Sequence, residues 1–159
     1  MLFLGKTEAE LQEIKAKRLL LDGEYDLEIV EWVDSDALGN PLKSKSGNQQ
    51  VKVVFQTWDA QGQVYKITDY LTAVESMEYK NRHFCMAAGQ LEKYEAKQPI
   101  KGIDVLGKLV KAKIGRQDGK QKDDGTFFDP KNVVKDYVKP PQPIAPKTDA
   151  LPFEDDIQL

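Results

Sequence analysis

The sequence is poor in the residues that build metal, redox and catalytic sites. Its 159 residues contain one cysteine and one histidine, so no internal disulfide can form and no CxxC zinc motif is present. These two residues, Cys85 and His83, are two positions apart and would point to different faces of a helix. A Gly-rich phosphate loop of the Walker type is also missing. We therefore expect no bound metal, no cofactor and no enzymatic activity.

Long apolar runs are missing too. No stretch reaches the roughly 20 apolar residues that a membrane-spanning helix needs. The apolar start, 1–5, is followed at once by charged residues rather than by the longer apolar stretch of a signal peptide. Together with the single cysteine, this predicts a cytoplasmic protein with no membrane partner.

Charge is plentiful but unevenly distributed. The net charge of −3 combines nine acids against four bases in residues 1–35 with eight bases against two acids in residues 97–122. Residues 148–159 carry four acids and no base, and removing these four charges from −3 leaves +1 on the rest. A weakly basic body with an acidic tail is typical of nucleic-acid-binding proteins, although each charge block alone also fits a solvated surface.

The order of the apolar patterns predicts a mainly β fold. A capping box at Thr7 begins a helix predicted over 8–20, and helical spacing recurs over 74–94. Alternating apolar residues predict five strands, at 24–32, 50–58, 64–71, 108–116 and 132–138. Five strands with a helix between the third and fourth is the order of the OB-fold, which binds oligonucleotides.

This order predicts three parts of the chain. An N-terminal helix segment covers 1–22, and a five-stranded OB-like barrel covers 23–138. A Pro-rich linker and a disordered acidic tail cover 139–159, because repeated prolines prevent regular structure there.

Four short motifs give the sequence a family resemblance. They are Gly23-Glu24-Tyr25, Lys45-Ser46-Gly47-Asn48, Ile67-Thr68-Asp69-Tyr70-Leu71 and Asn132-Val133-Val134-Lys135-Asp136-Tyr137. In this order and spacing, the sequence resembles a phage family of OB-fold single-stranded-DNA-binding proteins. The resemblance implies cooperative or multimeric (homo-oligomeric) coating of single strands during replication or recombination, in the cytoplasm of a host cell.

The end of the chain carries a second resemblance. Residues 151–157, Leu-Pro-Phe-Glu-Asp-Asp-Ile, look like the acidic tip of bacterial single-stranded-DNA-binding proteins, which docks on partner proteins. Here the Pro-Phe pair precedes the acids instead of ending the chain. We predict that replication or recombination proteins are recruited through Phe153, Glu154, Asp155, Asp156 and Ile157. The alternative is that this acidic tail binds no partner and only increases the solubility of the protein.

Binding a single strand needs cations for phosphates and flat rings for bases. Strand parity and loop position predict ten DNA-binding residues: Trp32, Lys43, Lys45, Lys52, Trp58, Lys66, Tyr70, Lys111, Lys113 and Arg116. Each ring could instead cap the core, and a β-bulge in the first strand would reverse the parity.

Two other functions fit the same patterns. One is an OB-fold protein-interaction module, such as a recombination mediator or replication accessory, with little direct DNA binding and therefore no salt-sensitive DNA affinity. The other is a small DNA enzyme such as a nuclease, which metal-dependent cleavage would reveal.

Overall fold

A computed structural model of the chain describes residues 1–140. Within this part, five strands form one antiparallel sheet in the spatial order β3-β2-β1-β4-β5. The strands are β1 (Gly23–Val33), β2 (Gln50–Trp58), β3 (Val64–Thr72), β4 (Leu109–Gln117) and β5 (Lys131–Tyr137). The prediction of a mainly β fold is confirmed. The predicted tail, with Phe153 to Ile157, lies outside the described residues.

Four helices accompany the sheet in the described residues: α1 (Glu8–Ala16), α2 (Glu78–Ala87), α3 (Leu91–Glu95) and α4 (Gly102–Val105), with a 3-10 turn at Glu75–Met77. The predicted capping box is present, since Thr7 and Glu10 exchange backbone and side-chain hydrogen bonds. None of the helices in residues 1–140 has the length and apolar character to cross a membrane.

Helix α1 ends four residues before the predicted boundary. The backbone of Leu20 instead forms two hydrogen bonds with the side chain of Asn132 in β5. Its N–H donates to Asn132 Oδ1 at 3.0 Å, and its carbonyl accepts from Asn132 Nδ2 at 3.0 Å. Leu20 is buried among core residues. In place of the last helical turn, residues 17–22 form turns, bends and irregular structure that lead into β1.

The core lies between the inward face of the sheet and α2. Alternation along β2 buries Val53 and Phe55, as the sequence predicts, and Phe84 of α2 packs against them. The Phe84 ring lies 5.1 Å from the ring of Tyr137 and 5.9 Å from the ring of Trp32, measured between centroids. One aromatic side chain therefore joins the helix to the first and last strands.

The edges of the sheet, β3 and β5, are joined by side chains rather than by backbone hydrogen bonds. Tyr137 Oη donates to Asp69 Oδ2 at 2.7 Å, and Lys80 Nζ of α2 lies 3.1 Å from the same oxygen. Lys80 also donates to the carbonyl of Val134 at 3.0 Å. Burial and the neighbouring Asp69 carboxylate hold the pKa of Tyr137 well above its usual value, so its hydroxyl remains a donor.

Replacing Asp69 with Asn tests the weight of this bridge. Lys80 is 8 % exposed, so the variant would leave a buried ammonium without its anion. We expect the free energy of unfolding in urea to fall by about 3 kcal/mol or more. The matched control is Asp26→Asn, which removes an exposed ion pair with Lys111 and should cost under about 1 kcal/mol. Equal, small losses in both variants would contradict the account.

Candidate nucleic-acid interface

The outward face of β2 and β3 carries the rings and bases that the sequence predicts there. Cross-strand pairing places Lys52 opposite Tyr70 and Trp58 opposite Val64. Trp58 is 46 % exposed and Tyr70 47 % exposed, so both rings are accessible for stacking. Lys66 is opposite Gln56 and is also exposed. The predicted outward orientation of these four side chains is confirmed.

A groove runs along the gap between β3 and β5, and we call it the strand groove. It has a volume of about 570 Å³, and its lining includes Lys52, Lys66, Thr68, Tyr70 and Lys131. Within residues 1–140, none of its three lysines forms a salt bridge. Their charges are therefore available to a ligand with phosphates.

A second groove lies in the loop between β4 and β5, and we call it the loop groove. It has a volume of about 580 Å³, and its lining includes Lys120, Lys122, Phe128 and Lys131. Phe128 is 57 % exposed, and the Lys122 ammonium lies 5.0 Å from the centre of its ring. Because Lys131 lines both grooves, they form one track with an exposed ring in each part. We call it the basic track, since five lysines line it against three aspartates, Asp69, Asp118 and Asp129.

The shape of the loop groove depends on a glycine. A Cβ on Gly119 would lie 1.5 Å from the carbonyl oxygen of Phe128, so only glycine fits there. The same approach allows Phe128 N–H to donate to the carbonyl of Lys120 at 2.8 Å. The loop is thereby closed beside the first residue of β5.

Lys43 and Lys45 lie in the loop between β1 and β2, as predicted, and both are exposed. The loop folds into two tight turns, in which Asp36 N–H donates to the carbonyl of Asn40 and Ser44 N–H to that of Asn48. An isolated bridge pairs Lys43 with Gln49, directly before β2. The loop therefore leads back along the start of the strand that carries Lys52.

Trp32 faces the core, and the prediction of its outward orientation is wrong. The pairing of β1 with β2 shifts register between Ile29 and Glu31, so a bulge at Val30 reverses the parity of the residues that follow. Trp32 is consequently opposite the buried Val53 and stacks on Phe84. Its indole lines a cavity at the end of β1 rather than the outward face.

Lys111 and Lys113 point outward from β4 as predicted, but they face the acids of β1. Lys111 is opposite Asp26, with 3.5 Å between ammonium and carboxylate, and Lys113 is opposite Glu24. The outward acids of β1 form an acidic stripe that separates these bases from β2 and β3. The stripe consists of Glu24, Asp26, Glu28 and Glu31.

Arg116 lies at the end of β4 and holds the segment that precedes β1. Its guanidinium donates to the carbonyl of Leu20 at 3.0 Å and to that of Leu19 at 3.1 Å. These contacts give it a structural role beside Asn132, on the inward side of the sheet. Two guanidinium nitrogens that were predicted to bind DNA therefore donate to the protein backbone.

Cys85 and His83 are placed apart on α2. Burial raises the pKa of the Cys85 thiol to about 11, and at neutral pH the thiol is therefore protonated and a weak nucleophile. The His83 Nδ1 atom lies 3.0 Å from an Asp136 carboxylate oxygen of β5. Cys85, in contrast, belongs to the buried face of α2. Within residues 1–140, no group of three His, Cys, Asp or Glu side chains is placed to hold a metal ion.

Sequence reasoning missed two residues of the basic track, Lys131 and Phe128. Lys131 is the first residue of β5, and only the approach of the β3 and β5 edges brings it beside Tyr70. A signal for Phe128 was present, since an aromatic pair, Phe127-Phe128, interrupts an otherwise polar loop. Such a pair far from any core strand indicates either local packing or a ligand contact.

No family model matches the chain, and no curated protein matches it.

Proposed function

We propose that this protein binds single-stranded DNA without sequence preference along the outward face of β2 and β3 and through the strand and loop grooves. The observation that carries the proposal is the single track of exposed rings and of lysines without a salt bridge in residues 1–140, joined by Lys131. Cations and accessible rings in one groove are the two elements that sequence-independent binding of single strands requires.

The proposal includes an OB-like barrel. In that fold, β1 pairs with both β2 and β4, and the sheet bends until the edges β3 and β5 meet in a partly open barrel. The observed strand order and the Asp69–Tyr137 contact across these edges support this arrangement. In OB-folds the face of strands 2 and 3 and the loops 1–2 and 4–5 bind oligonucleotides. Here those loops carry Lys43 and Lys45 on one side and Lys120 and Lys122 on the other.

Charge confines the proposed path of the strand. The acidic stripe of β1 would repel phosphates, whereas the three lysines of the strand groove would attract them. We therefore leave three bases out of the proposed DNA surface: Lys111 pairs with Asp26, Arg116 donates to backbone carbonyls, and Lys113 lies opposite Glu24 of the acidic stripe. Trp32 is left out as well, because it packs on Phe84.

The acidic tail has a place in this proposal as a competitor and a recruiter. Its four acids can occupy the basic track when no DNA is bound, and DNA would then release Phe153 and Ile157 to replication or recombination proteins.

Fluorescence-anisotropy titration of labelled oligo-dT at two salt concentrations tests the proposed function. Affinity should fall steeply with salt, because phosphate contacts release counterions. A chain without residues 148–159 should bind more tightly than the full chain, since it lacks the competing acids. No binding by either chain at low salt would contradict the proposal and favour the protein-interaction module.

Replacing Lys131 with Ala tests the junction of the two grooves. Loss of one phosphate contact should reduce the slope of log affinity against log salt by about 0.7. Lys111→Ala is the matched control, since Asp26 already engages that base, and it should leave the slope unchanged. An unchanged slope in Lys131→Ala, or an equal change in both variants, would place the strand elsewhere.

A further inference from the structure

Four consecutive apolar side chains precede α1 without any contact that buries them. Met1, Leu2, Phe3 and Leu4 are between 83 % and 101 % exposed. We call this segment the arm. Large apolar side chains exposed together are typical of interaction sites. Gly5 follows with a φ of +67° and no atom near its Cβ position, so the arm leaves α1 through a hinge that favours glycine.

An apolar cavity lies where β1 ends. This end cavity has a volume of about 480 Å³, within the range of ligand pockets. Its lining is mostly apolar and includes Trp32, Val51, Leu71, Phe84 and Ile100. It is the inward counterpart of the proposed DNA face and shares no lining residue with the two grooves.

Two residues of the cavity lining each carry a buried polar atom without a hydrogen-bond partner. Within residues 1–140, the buried side-chain atoms without a hydrogen-bond partner are Trp32 Nε1 and Asn81 Oδ1, and both residues line the cavity. One is a donor and the other an acceptor, and leaving both unpaired is costly. Both atoms are themselves fully buried, so a ligand reaches them only when the lining opens. A peptide backbone then carries both complementary groups, whereas a purely aliphatic ligand carries neither.

Charge selects between the two apolar peptides of this sequence. The cavity lining has two carboxylates, Asp34 and Glu78, against one ammonium, Lys101. The tail segment around Phe153 would bring three more acids to it, whereas the arm is followed by Lys6. Complementarity of charge therefore favours the arm.

The segment that follows α1 and the end cavity lie at opposite ends of β1. Lys15 of α1 pairs with Asp129 at 2.6 Å, and Leu20 docks beside the start of β1. The cavity lies beyond Trp32, near the other end of this 11-residue strand. The arm is fully exposed in its own chain, so a second copy is the partner that can offer it a cavity.

We propose that the arm of one copy inserts into the end cavity of the next, in a head-to-tail contact between identical chains. A contact of this kind uses two different surfaces, so it propagates into rings or filaments rather than stopping at a symmetric dimer. It extends the proposed coating of single strands but does not depend on it, because association can be measured without DNA.

Sedimentation velocity of the full-length protein without DNA tests this contact with two complementary variants. Phe3→Glu disables the arm, and Ala73→Arg fills the cavity from an exposed lining position. The average molecular mass of the wild-type protein should increase with protein concentration, whereas each variant alone should remain a monomer of 18.0 kDa. An equimolar mixture should give a dimer of about twice that mass, because one intact arm meets one intact cavity.

Leu38→Glu is the matched control, since Leu38 is 88 % exposed outside both surfaces, and it should associate like wild type. The proposal is overturned if wild type stays monomeric, if Phe3→Glu still associates, or if the mixture stays monomeric. Association that is lost in Phe153→Glu but kept in Phe3→Glu would assign the cavity to the tail and also overturn it.

Discussion

The buried contact among Asp69, Lys80 and Tyr137 determines how the two edges of the sheet meet. It links β3, α2 and β5 where no backbone ladder connects them. The strand groove is lined by Asp69 itself and by Val134, whose carbonyl accepts from the same lysine. The position of Lys131 relative to Tyr70 therefore depends on a buried ion pair, whose geometry is more sensitive to mutation than a ladder of hydrogen bonds.

Charge is arranged on the outward face of the sheet in alternating stripes. The acids of β1 lie between the bases of β4 and those of β2 and β3, and within residues 1–140 their direct ion pair is the one between Asp26 and Lys111 of β4. Opposite charges placed across strands stabilise an antiparallel sheet modestly. In the proposed function the same acids would repel a phosphate backbone, so a feature that stabilises the sheet would also confine the path proposed for DNA.

The sequence predicted the strands well, because alternation with period two reports the burial of one face. The bounds of β2 are those predicted, and Trp58, Tyr70, Lys52 and Lys66 point outward as parity requires. Parity fails after a bulge, which has no unique sequence signature, and Trp32 was misplaced for that reason. The contacts of Lys131 and Arg116 depend on residues more than 60 and 90 positions away in sequence, which local patterns do not report.

The two tryptophans of the chain offer the most direct test of where DNA binds, because Trp58 is exposed on the outward face and Trp32 packs inside. Trp32→Phe and Trp58→Phe each leave one indole as the reporter in a titration with unlabelled oligo-dT. The account predicts that stacking quenches the fluorescence of Trp58 while Trp32 stays nearly constant. Quenching of Trp32 with no response from Trp58 would contradict the account and move the binding site to the end cavity.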